Sequence, residues 1–242
     1  KVVRIQGRAV ASDAPDNGQV LTWSDALNRW QPQNNSMVPT YLVAASDARQ
    51  EIQDSADYTC DGTDDHLDIN DAIDDIVTLG HGRVQLSEGT FYLGGSVTTS
   101  GATGAVNLSI VGAGVGTTTI VIDSSETNVF DSFDFEPSSG TASFFEVAHM
   151  RITDAQQTTS GTAYFINGAS CERGWFHHLA FDSVKTTYQS DYTYGIYWGG
   201  GYGWFSDIKF GYANDAPDIA TAFIYLGDEY NHITNCHFFH AS

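Results

Sequence analysis

The sequence predicts a mainly β protein built as a parallel solenoid, a β-helix whose coils stack along one axis. The first sign is a repeat: "GWFHHLAF" (174–181) and "GWFSDIKF" (203–210) match at an interval of 29, "NHITNCHF" (231–238) follows 28 later, and "EVAHMRI" (146–152) precedes by 29. A second register gives nearly the same period, with "TYGIYWG" (193–199) and "TAFIYLG" (221–227) 28 apart and "TAYFING" (162–168) 31 earlier. Two columns sharing one period are what stacked coils produce; a sandwich would not demand a constant period. The third sign is 24 glycines against 5 prolines, which favours turns and short strands over long helices.

The elements follow in order. Residues 1–33 form a unit of their own, with "DAPDNG" a turn cluster, "QVLTW" a strand and "DALNRW" a second turn leading to Trp30. One small strand pair cannot bury Trp23 and Trp30 alone, and copies of the chain around a symmetry axis would cover them. Residues 34–45 read as a linker, "QNNSMVPT" being polar with a proline. Within 46–100 the one convincing helix is predicted near 65–79. Thr63 or Asp64 caps it, Leu67, Ile69, Ile73, Ile76 and Val77 give it an apolar side, and Gly80 and Gly82 stop it. "RVQLSEGTFYL" then reads as strand, glycine turn, strand.

Residues 101–242 are coils. Their inward columns are Val147, Phe176, Phe205 and Ile233, then Met150, Leu179, Ile208 and Cys236, then Ile152, Phe181, Phe210 and Phe238. "VNLSIVGAGVGTTTIVID" (106–123) suggests a nucleotide loop, but Thr117 stands where a dinucleotide fingerprint needs glycine, and no "GK[ST]" follows. Gly112, Gly114 and Gly116 are expected instead to turn a corner between two sheets of the first coil. The final repeat ends just after a coil strand with no cap in sight, so the β-helix is expected to continue past residue 242 or to be covered by a partner.

Two resemblances add to this reading. "GRAV", "APDNGQVLTW" and "RWQP" resemble the short repeat of tail-fibre and tailspike proteins of tailed viruses, with Ala9 where that family usually has proline. "ADYTCDGTDD", "INDAIDDI", "GRVQLSEGTFYL" and "LSIVGAGVGTTTI" resemble the N-terminal part of the pectate-lyase-like, right-handed parallel β-helix superfamily. The second resemblance implies a right-handed coil whose open end is plugged by the helix. The first implies a homotrimer on the particle surface, attached to other tail or capsid-spike proteins through residues 1–33.

Thirty acidic residues face ten basic ones, a formal charge of −20, with 23 Asp against 7 Glu and three lysines. Such a surface repels phosphate backbones, so no nucleic-acid partner is expected. An ordinary acidic surface and one built for high salt both fit; scarce lysine beside abundant aspartate favours high salt. No run of 18 apolar residues exists, so no membrane insertion is expected. Cys60, Cys171 and Cys236 are far apart and odd in number, and read as small apolar residues.

The candidate recognition residues lie on the columns between the apolar ones: His149, His178, Asp207 and Asn235, with Lys209 and His237 beside them along with Arg151 and Ala180. They could form the polar outer face that sugar-binding β-helices use, but any exposed strand face must carry polar residues anyway, and that plainer reading is favoured because no acidic pair is repeated on the face. Trp175, Trp204, Tyr197, Tyr202, Tyr225 and Tyr230 belong to an aromatic concentration that suits core stacks, sugar rings or subunit contacts. No catalytic residue is legible. Asp182, Asp207, Asp228 and Glu229 are acids in the coil region, but no repeated pair stands out, and "DGTDDHLDIND" lacks the glycine and terminal glutamate of a calcium loop. His177 and His178, adjacent on a strand, are expected to point opposite ways and to make a poor metal pair. No metal or cofactor is therefore expected. The leading function is a virion fibre or spike protein presenting a β-helix for recognition of a host-surface glycan or glycoprotein; the alternative is a virion-borne polysaccharide depolymerase, a glycoside hydrolase or lyase.

Overall fold

The computed structural model of the chain describes residues 38–98, 106–122, 144–154, 163–168, 172–182, 193–211, 222–227 and 230–238, together with short strands within 4–34 and at 133–134. Two compact units result, Lys1–Val38 and Pro39–Ser242. In the first, β1 (Arg4–Ile5) pairs antiparallel with β2 (Arg8–Ala9), and β3 (Gln19–Ser24) with β4 (Arg29–Asn34), setting Trp23 opposite Trp30.

The second unit is a parallel β-solenoid. It opens with β5 (Thr40–Ala44), α1 (Gln50–Gln53), β6 (Tyr58–Thr59) and α2 (His66–Leu79). The first coil is β7 (His81–Leu86), β8 (Gly89–Leu93) and β9 (Val97–Thr98); the second is β10 (Asn107–Val111), β11 (Thr118–Ile122) and β12 (Phe133–Asp134). Then follow β13 (Phe144–Asp154), β14 (Ala163–Gly168), β15 (Arg173–Asp182), β16 (Thr193–Trp198), β17 (Tyr202–Phe210), β18 (Ala222–Leu226), β19 (Tyr230–Thr234) and β20 (His237–Phe238). One sheet runs β19-β17-β15-β13-β10-β7-β5-β6, with β11 between β8 and β13 and β20 on β17; a second runs β18-β16-β14-β12-β9. Every ladder in both sheets is parallel.

The core is the expected set of columns. Val147 lies over Phe176 and Phe205, Met150 over Leu179 and Ile208, Ile152 over Phe181 and Phe210, all buried. Flat rings suit this repeat because each stacks on its copy, Phe181 on Phe210 at 4.6 Å and Phe176 on Phe205 at 5.3 Å between centroids. On the last coil Ile233 and Phe238 are exposed. In the second sheet the interval is 30, not 31: Ile166 lies on Ile196 and Gly168 on Trp198. The sequence match placed Ile166 beside the half-buried Tyr197, whereas the true register keeps both isoleucines inside and leaves room above the indole, where a Cβ on Gly168 would meet Trp198 at 2.5 Å.

The helix packs into the same core through Ile69, Ala72, Ile73 and Ile76, and left-handed Gly80 (φ 77°) ends it. Leu67, expected on the buried side, is exposed. Neither Thr63 nor Asp64 caps it. Asp65 holds that position and makes no capping bond, because its carboxylate accepts instead from the N–H groups of Gly62 (2.9 Å) and Tyr92 (2.8 Å), tying the helix start to β8. Residues 40–44, inside the stretch read as a linker, are β5, with Val43 and Ala44 fully buried. No helix among the described residues is long and apolar enough to cross a membrane.

The corner expected at Gly112, Gly114 and Gly116 lies not between two sheets of the first coil but between β10 and β11 of one bent sheet in the second. Gly112 and Gly114 donate to the carbonyls of Ala148 (2.9 Å) and His149 (3.0 Å). A Cβ on Gly112 would overlap the His149 carbonyl, whereas Gly116 has open space around it.

Candidate functional site

The site grows out of a defect in strand periodicity. Alternation places inward residues two apart, yet Val147 and Met150, Phe176 and Leu179, Phe205 and Ile208, and Ile233 and Cys236 are three apart. The extra residue takes the left-handed conformation: His149 (φ 59°), His178 (51°), Asp207 (56°) and Asn235 (52°). Asn, Asp and His are the non-glycine residues enriched there. These four predicted site residues therefore form one column of corners, each breaking the strand's alternation.

Five of the six predicted residues line one groove. His178, Asp207, Lys209, Asn235 and His237, with Val115 and Leu179, enclose about 280 Å³. Asn235 Nδ2 donates to Asp207 Oδ1, and His178 Nε2 stands 4.0 Å from Asp207 Oδ2. Lys209 and His237 are register neighbours on β17 and β20. Among the described groove residues only Asp207 is an acid. Ala180, expected on the solvent-facing column, is fully buried. Asp228 and Glu229 lie outside the described residues, as do Cys171 and the side chain of Asp182. Cys60 is buried and Cys236 half-buried, both as free thiols.

His149 belongs to a neighbouring cluster. The expectation that His177 and His178 point apart is overturned: the left-handed turn at His178 swings its ring back, leaving the two Nδ1 atoms 2.9 Å apart. His149 stacks on His178 at 4.6 Å and meets His177 edge-on at 5.1 Å. Behind them runs an outward column, Arg83, Ser109, Glu146, Trp175, Trp204. His177 Nε2 lies 3.0 Å from Glu146 Oε1, and Arg83 stands 3.6 Å from Oε2. The His177 hydrogen bond holds the Glu146 carboxyl below its usual range against the opposing effect of burial, helped by the Ser109 hydroxyl and Arg83. An ionised carboxylate only accepts, so His177 Nε2 carries the proton. Burial, then the neighbouring His178 and His177, pushes His149 below its ordinary value. The Trp175 ring covers His177, with centroids 4.3 Å apart.

Sequence reading missed Glu146, His177 and Arg83 as partners. The signal was present in the three-residue interval between apolar columns, which no regular strand can satisfy. A second acidic group, Cys60 with Asp65 and Asp68, is structural, since both Asp65 oxygens already serve backbone N–H groups.

Flanking these corners are exposed aromatics, Trp175 and Trp204 in one column and Tyr202 stacked on Tyr230 at 5.1 Å. The architecture is that of a mainly β parallel solenoid with an N-terminal helix, consistent with pectate-lyase-like proteins. No protein-family model, curated protein or solved structure matches the chain.

Proposed function

We propose that this chain is a virion fibre or spike protein whose residues 1–33 attach it to the particle and whose solenoid recognises a host-surface glycan. The observation that carries the recognition half is the groove of His178, Asp207, Lys209, Asn235 and His237 on a sheet that also exposes Trp175 and Trp204. Sugar hydroxyls need clustered donors and acceptors, and the C–H faces of a pyranose pack on flat rings. Attachment to tail or capsid-spike proteins and trimer formation rest on the resemblance of residues 1–33.

The test is calorimetric titration of the purified chain with host-surface polysaccharide. Asp207→Ala and Trp204→Ala should each weaken binding about tenfold, a loss of some 1.4 kcal/mol, with both variants still folded. Absent binding, or equal binding by both variants, overturns the reading. The depolymerase alternative is scored in the same tubes. New reducing ends or unsaturated sugar, lost in Asp207→Ala, would establish it. A single groove acid does not supply the carboxylate pair of glycosidic hydrolysis.

A further inference from the structure

Three imidazoles that strand alternation would have kept apart converge at the corners of β13 and β15. His149, His177 and His178 each bring a ring nitrogen within 4.8 Å of the other two. His177 is held from behind by Glu146, 3.0 Å from its Nε2, and Glu146 is held in turn by Arg83. A carboxylate on the remote nitrogen fixes the tautomer and turns the other lone pair outward, as it does for ligating histidines in metal proteins. Here that other nitrogen is Nδ1, and it faces Nδ1 of His178 at 2.9 Å. Two imidazole nitrogens bonded to one tetrahedral ion at about 2.0–2.1 Å stand about 3.3 Å apart, so a small opening of the pair reaches chelating separation. His149 lies stacked on His178, and rotation about its soft χ2 torsion turns a nitrogen toward the pair.

We infer that His149, His177 and His178 form a binding site for a divalent transition-metal ion of the zinc type, with Glu146 orienting His177. Three imidazoles suit zinc, copper or nickel and leave one coordination position for water or another oxygen ligand. The inference shares His178 with the glycan groove but is tested separately, since it rests on the imidazoles and Glu146 and not on sugar binding.

The full chain, stripped with EDTA, is titrated with Zn²⁺ by calorimetry and with Co²⁺ by absorption spectroscopy. One Zn²⁺ per chain should bind at micromolar concentration or tighter, and Co²⁺ should show ligand-field bands without a thiolate charge-transfer band. The double variant His149→Asn/His178→Asn should abolish micromolar binding while remaining folded, because Asn235 already occupies the same left-handed corner. Glu146→Gln should weaken binding about 10–100-fold. Three results would overturn the site: absent stoichiometric binding, Zn²⁺ affinity preserved in the double variant, or a thiolate band placing the ion at Cys60.

Discussion

Glu146 is nearly buried on the outer face of β13, with a tenth of its side chain exposed, and it remains ionised because three neighbours donate to it or balance its charge. Replacing it by Gln should cost about 1–3 kcal/mol in urea unfolding at neutral pH, since His177 then loses a charged acceptor. The sign of its pH dependence follows from the lowered folded pKa. Its contribution is present above the unfolded value of about 4.3 and is lost as pH falls through that value toward the folded one. His149 acts higher on the scale. Its folded pKa is also lowered, so below about 6.5 the unfolded chain takes up a proton that the folded chain resists, and stability falls with pH. In EDTA buffer, His149→Asn should flatten the loss of stability between about pH 7 and 5. An unchanged slope would remove His149 as its cause.

At the scale of the element, the corner is the unit of construction, made in three ways: by Ser87 and Glu88 after β7, by 112–117 after β10, and by single left-handed residues in later coils. Only some corner glycines are compelled. Gly112→Ala forces a Cβ into the His149 carbonyl and should lower stability by about 1–3 kcal/mol, while Gly116→Ala should stay within about 0.5 kcal/mol of wild type. Thermal unfolding of the two variants side by side separates them, and equal melting temperatures would contradict the packing described. Gly168→Ala tests the second sheet's register in the same way. A loss of stability fits Gly168 under Trp198; a neutral result would favour the one-residue slip that the sequence repeat suggested.

For the whole molecule the dominant quantity is charge. Much of it is concentrated around α2, where Asp61, Asp64, Asp71, Asp74 and Asp75 are exposed and Asp68 is half-buried. Burial, eased by a hydrogen bond from Cys60 and reinforced by Asp61 and Asp71, pushes the Asp68 carboxyl up. That repulsion is long-ranged in dilute buffer and screened to about 3 Å at 1 M salt. A chain built for high salt should therefore gain about 5–10 °C in melting temperature between roughly 0.1 and 3 M NaCl. An unchanged midpoint would return the composition to an ordinary acidic surface.

The solenoid was legible in the sequence because every coil buries the same columns, so Phe176, Phe205 and their neighbours recur at a fixed interval whatever the loops do. The groove was legible for the same reason: Asp207, Lys209, Asn235 and His237 sit at equivalent places on successive coils, and stacking brings equivalent places together. The histidine cluster was not. Reading His177 and His178 as opposite faces assumed an unbroken strand, and one left-handed residue per coil cancels that assumption. At the His149 corner the loop of the preceding coil binds the bent backbone, Gly112 donating to Ala148 and Gly114 to His149. Periodicity by itself determined which residues face the core. Only the tertiary structure decided which polar side chains meet outside it, because that depends on where each coil bends.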